Sequence, residues 1–74
     1  MKAFILIETT AGKAKAKEVI TVLKQLDEVK SVDIVTSPYD VIAILEAENM
    51  TNIVAKIKAI PGISRTVVCM GQNK

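Results

Sequence analysis

The chain has 74 residues, 50% of them hydrophobic and 24% charged, with a formal net charge of +2, so it reads as one globular domain over residues 1–74. A chain this short buries only roughly 60% of its unfolded surface, and association with another chain would stabilise it. No apolar run approaches the roughly 20 residues of a membrane span, the N-terminus carries no small-residue cleavage site, and the cytoplasm is the default compartment. The lone cysteine, Cys69, and the absence of histidine exclude an internal disulfide, a zinc or copper cluster and a histidine-based triad, so neither metal nor cofactor is expected.

Residues Ala3–Thr9 are apolar on both alternating sets, Ala3, Ile5 and Ile7 on one and Phe4 and Leu6 on the other, which predicts a central strand covered on both faces. Gly12 and its small neighbours break the pattern. From Ala16 the apolar positions are Ala16, Val19, Ile20, Leu23 and Leu26, a one-sided helical stripe that Asp27 and Glu28 end. Lys13, Lys15, Lys17 and Lys24 lie in the same segment and could be read as a nucleic-acid patch. With eight acidic residues in the chain, Phe4 and Tyr39 as the only aromatics and Arg65 as the only arginine, a solvated helix face is the better reading.

Val29–Thr36 is a second strand, more polar and hence nearer a sheet edge. Ser37-Pro38 interrupts the chain and predicts a hairpin into a third strand, Tyr39–Ala47. That strand again carries two apolar sets: Tyr39, Val41, Ala43 and Leu45 on one face, Ile42 and Ile44 on the other. Asn49 is a suitable N-cap for a second helix with the stripe Met50, Ile53, Val54, Ile57 and Ile60, which Pro61-Gly62 stops. Ile63–Met70 is the last strand, followed by a short polar tail.

The halves are weakly self-similar: Val19/Ile20, Leu23, Leu26 and Val29 are matched 34 positions later by Ile53/Val54, Ile57, Ile60 and Ile63. The order predicts an α+β fold, a ferredoxin-like βαββαβ sandwich with an antiparallel four-stranded sheet and two helices on one face. The second apolar set of strands one, three and four then has nothing in a monomer to pack against, and a dimer formed through the open sheet face would cover it.

Groups that could carry chemistry are few: Asp33, Asp40 beside Tyr39, Glu46, Arg65 and Cys69, and no spacing forces any of them into a pair. Cys69 within Val67-Val68-Cys69-Met70 reads as a buried, inert thiol; a nucleophile there would need an electropositive neighbour. Asp40, on the face set of Ile42 and Ile44, is either a solvated strand-end residue or a carboxylate aimed into a shared cleft. Tyr39 is either a hairpin-end aromatic packing on its neighbours or a ligand contact.

Val35-Thr36-Ser37-Pro38-Tyr39-Asp40-Val41-Ile42 resembles the Val-x-Gly-x-Tyr-Asp turn of the amino-acid-sensing RAM domain of Lrp/AsnC transcription regulators. The stretch from Leu23 to Val32 is similar to that family's helix end and second strand, Glu46-Ala47-Glu48-Asn49 to its acidic lead into the second helix, and Ile60-Pro61-Gly62-Ile63-Ser64-Arg65-Thr66 to its proline–glycine–valine segment with a following threonine. The resemblance covers nearly the whole chain and rests on the sum of these motifs.

The full regulators carry an N-terminal helix-turn-helix, whereas this sequence begins at the first RAM strand and looks like a stand-alone RAM protein that does not contact nucleic acid directly. The resemblance implies a non-enzyme that dimerises through its sheets, dimers assembling into an octamer or similar ring, with an amino acid bound in clefts between dimers and with full-length Lrp/AsnC regulators as partners. It places Ser37, Pro38, Tyr39 and Asp40 at the ligand, Asp40 as acceptor for the ammonium and turn amides facing the carboxylate, and it gives Thr66 from a neighbouring subunit a hydroxyl contact. Ser37 stands where the family usually has glycine, so the turn takes another shape or the pocket is altered.

An acylphosphatase-like hydrolase or a dimeric α+β-barrel oxygenase on the same general fold is the competing class. The first would want an arginine after strand one, where Glu8-Thr9-Thr10-Ala11-Gly12-Lys13 offers a lysine, and the second generally leans on histidine. A ferredoxin-like metal carrier would need paired cysteines in that loop.

Overall fold

Six elements follow in chain order: β1 (Lys2–Thr9), α1 (Lys13–Leu23), β2 (Val29–Ile34), β3 (Val41–Glu46), α2 (Met50–Lys58) and β4 (Ile63–Met70). The structure, a computed structural model, describes residues 1–10, 13–36 and 38–70. The predicted break at Gly12 and the polar tail after Met70 lie outside the described residues.

The strands form one sheet in the order β2-β3-β1-β4, all neighbours antiparallel, so β1 and β3, which the sequence places in the centre, do lie there, while β4, which also carries apolar residues on both faces, lies at an edge. Register then sorts the side chains into two layers. Val41, Ile7 and Thr66 lie side by side, as do Ala43, Ile5 and Val68, and Leu45, Ala3 and Met70. Of this layer Ala3, Ile5, Ile7, Val41, Ala43 and Leu45 are fully buried, in one cluster with Ala16, Val19 and Leu23 of α1 and Met50, Ile53 and Ile57 of α2. Both helices therefore cover the same face.

The helices end for local reasons. α1 stops at Leu23, shorter than its apolar stripe suggests, because Gln25 and Leu26 turn their N–H groups to the carbonyls of Val22 and Leu23 at 3.1 and 3.0 Å. These tight i→i+3 bonds swing Leu26 onto the core from a turn. The Asn49 side chain accepts the Asn52 N–H at 3.1 Å, the expected cap of α2. Gly62 has φ +98, and a Cβ there would lie 2.8 Å from Cγ of Lys15; its carbonyl accepts the Thr10 N–H at 2.9 Å. This one glycine joins the end of β1 to the start of β4 beside α1.

The other layer of the sheet is uncovered. Ile42, Leu6 and Val67 lie side by side across β3, β1 and β4, and Ile44, Phe4 and Cys69 form the next row. Phe4 and Val67 are each 37% exposed, Cys69 is exposed, and Leu6, Ile42 and Ile44 are half-buried. The exposure of Cys69 corrects the expectation of a buried thiol: β4 is an edge strand, and Cys69 belongs to its unpacked set.

Candidate functional site

The predicted site residues gather where β1 ends and β3 and β4 begin. The hairpin is closed by the Val35 N–H on the Asp40 carbonyl at 2.9 Å, and the Asp40 N–H continues the ladder onto the Ile7 carbonyl at 2.9 Å. β3 thus starts at Val41, two residues later than the sequence suggests, and Tyr39 and Asp40 stand outside the regular pleat. Pro38 is exposed, Tyr39, Asp40 and Thr66 are partly exposed, and Ser37 lies outside the described residues.

Asp40 is neither simply solvated nor simply aimed at a cleft. Its Oδ2 accepts the Thr9 N–H at 2.8 Å and the Thr9 hydroxyl at 3.1 Å, and Thr9 is only 6% exposed. On the other side of β1 the register shifts at the same point: Glu8 pairs with Arg65 but Thr9 pairs with Ile63, which leaves Ser64 as an extra residue on β4. The Ser64 hydroxyl donates to the Glu8 carbonyl at 3.0 Å, with Glu8 Oε1 at 3.4 Å. The Asp40 carboxylate meets the Thr9 N–H at this break and fixes the hairpin to β1.

Tyr39 finds a partner that spacing alone does not suggest. Its hydroxyl accepts a hydrogen bond from Arg65 Nη2 at 3.1 Å, and the Arg65 Cζ sits 5.3 Å from the ring centroid. The single arginine of the chain is thereby laid across the hairpin from β4, through a hydrogen bond and a cation–π contact. Thr66, in register with Ile7 and in the helix-covered layer, lies at the same end of the sheet, but no hydrogen bond ties it to the hairpin among the described residues. Sequence reasoning did not anticipate Thr9 as Asp40's partner. Its place on the buried set after Ala3, Ile5 and Ile7 was the available signal, since a buried polar residue at a strand end needs a partner.

A second concavity lies at the opposite end of the molecule. A groove of about 680 Å³ between α2 and β4 is lined by Met1, Met50, Val54, Val68 and Met70 with Asn49 and Lys58 at its rim. None of the predicted site residues reaches it. Among the described residues, no three His, Cys, Asp or Glu side chains converge as a metal site would require, and no helix is long and apolar enough to cross a membrane.

Fold and site together define a ferredoxin-like α+β domain with polar and charged groups at one sheet end and an uncovered apolar face. The chain belongs to the Lrp/AsnC ligand-binding domain family, whose model matches residues 2–72. It is similar to FFRP-DM1, with 33% identity over 96% of this chain and 97% of that one and a TM-score of 0.85. The fold is shared with Escherichia coli AsnC at 22% identity, over 97% of this chain and 51% of that one, with a TM-score of 0.83. It is shared too with the transcriptional regulator NMB0573 of Neisseria meningitidis, solved as a complex with L-Met, at 14% identity, over 99% and 50% of the two chains, with a TM-score of 0.82. The chain thus spans about half the length of these two regulators. No curated protein matches it. The domain is a regulatory effector-binding module by family.

Proposed function

We propose that this domain binds a free α-amino acid at the hairpin end of its sheet, within a homo-oligomer built from dimers that pack through their open sheet faces, and that occupancy is passed to Lrp/AsnC-type transcription regulators. The observation that carries this reading is Asp40. One of its oxygens is fixed by Thr9, and among the described residues no hydrogen bond engages the other. A carboxylate held rigid beside a turn is a ready acceptor for an ammonium group, because its orientation is set before the ligand arrives. Pro38 and Tyr39 flank it, Ser37 belongs to the same turn, and Thr66 supplies a hydroxyl from a neighbouring subunit. The L-Met bound to NMB0573 supports an amino acid as the ligand class.

The oligomer follows from the rows Ile42, Leu6, Val67 and Ile44, Phe4, Cys69, a contiguous apolar array that no other described residue covers. Further assembly into an octamer or similar ring brings hairpins of neighbouring dimers together and completes a cleft that a single chain only half builds. The domain performs no catalysis and contacts no DNA itself. Native mass spectrometry with an equimolar mixture of the twenty common L-amino acids tests the reading: an even-numbered assembly retaining one amino acid per site supports it. A monomer, or an assembly with no ligand at millimolar concentration, refutes it.

A further inference from the structure

We propose that Arg65 is the residue that captures the ligand's carboxylate, with Tyr39 as its positioning residue; this rests on the amino-acid reading of the hairpin end. Arg65 is exposed and has acidic neighbours, yet it pairs with none of them. Glu8 is its cross-strand partner in register, and Asp40 is adjacent in the chain to Tyr39, the residue that Arg65 touches. Among the described residues the single ion pair is nevertheless Lys15–Glu18 on α1. Both carboxylates have other contacts: Asp40 Oδ2 holds Thr9, and Glu8 Oε1 faces the Ser64 hydroxyl.

The guanidinium is instead oriented by a neutral group. The ring of Tyr39 lies under it and the phenol oxygen accepts one of its N–H groups, which fixes the plane of the guanidinium without cancelling its charge. Because the Tyr39 oxygen accepts from Arg65, its own O–H remains a donor. The pair therefore presents a set made only of donors, the remaining guanidinium N–H groups and one phenol O–H, which suits a planar carboxylate. Asp40 on the same hairpin presents an acceptor. A cation and an anion at the same end of the sheet that do not pair with each other are complementary to the two ends of a zwitterion, and the ligand completes the ion pairs that the protein leaves open.

The test uses the assembled 74-residue protein, the twenty common L-amino acids, and the carboxamide of whichever amino acid binds. The parent protein is expected to prefer the acid to its amide by at least about tenfold. Arg65→Gln is expected to weaken the acid about ten- to hundredfold and leave the amide within about twofold, abolishing the preference. Tyr39→Phe, which keeps the ring and removes the hydroxyl, is expected to give a smaller loss of the same selectivity. An unchanged preference for the acid in an assembled Arg65→Gln protein overturns the assignment while the amino-acid reading stands. Should that variant fail to assemble, Arg65→Lys decides: a point charge that cannot form the planar double contact should lose part of the preference, and full retention overturns the role. If the parent binds no amino acid at all, the functional reading fails and this inference with it.

Discussion

Replacing Asp40 by alanine tests the clasp between hairpin and β1. In the folded chain one oxygen of Asp40 accepts the Thr9 N–H at 2.8 Å and the Thr9 hydroxyl at 3.1 Å, at a residue only 6% exposed. A hydrogen bond to a charged group contributes about 1.5–3 kcal/mol, and a buried N–H left without its acceptor costs about 1–3 kcal/mol. Because the two effects overlap, a total loss of about 2–4 kcal/mol is expected. A domain of this length has roughly 4–11 kcal/mol in all, so a large share would go. At about 4–8 °C per kcal/mol for a chain this size, the melting temperature should fall by at least about 8 °C at fixed protein concentration. Asp40→Asn keeps an acceptor for the N–H and should lose only about half as much. Thr9→Val removes the hydroxyl contact to Asp40 and keeps the N–H contact, and a double-mutant cycle with Asp40→Ala should show a coupling between the two residues. Thermal unfolding followed by circular dichroism measures all three. If Asp40→Ala melts within about 2 °C of the parent, the clasp contributes nothing and the reasoning is refuted.

Ile44→Asp puts a charge in the middle of the open face and is expected to give monomers in sedimentation velocity at micromolar concentration, since an unpaired buried charge costs several kcal/mol. Cys69, in the same row, should react slowly with a thiol reagent in the parent assembly and at least about tenfold faster in that variant; equal rates would contradict packing through this face. Gly62→Ala must hold φ near +98 or rearrange, at a cost of about 1–2 kcal/mol that lowers the melting temperature by at least about 4 °C. The 74-residue chain, with a net charge of only +2, should bind duplex DNA weakly, without sequence preference and with loss of binding as salt rises; salt-resistant, selective binding in a gel-shift assay would argue otherwise.

The six elements were legible in the sequence because each is written in a local periodicity. Double alternation in Ala3–Thr9 and in Tyr39–Ala47 marked the central strands, the stripes Ala16, Val19, Ile20, Leu23, Leu26 and Met50, Ile53, Val54, Ile57, Ile60 marked the helices, and Asn49 and Pro61-Gly62 marked the limits of α2. The chain order of those elements restricts the topology, and the surplus apolar set pointed to an uncovered face. Membership of the family could likewise be seen, since its motifs lie along a contiguous chain.

The partners at the hairpin end were not legible, because they are set by register between strands far apart in sequence. Asp40 reaches Thr9 across 31 positions and Tyr39 reaches Arg65 across 26. Both contacts depend on which residues strand pairing brings side by side, and a one-residue change of register sends side chains to the opposite face. The exposure of Cys69 was hidden for a related reason. An apolar run such as Val67-Val68-Cys69-Met70 has the same local pattern whether its strand is central or at an edge, and only the completed sheet order decides which of its faces is packed. The sequence by itself thus determined the order and type of the elements and the two apolar sets of each central strand, because those are short-range preferences of burial and backbone, whereas which set lies under the helices came from the tertiary structure. Tertiary structure alone decided which charges meet and which are left unpaired, because that depends on alignment across the sheet.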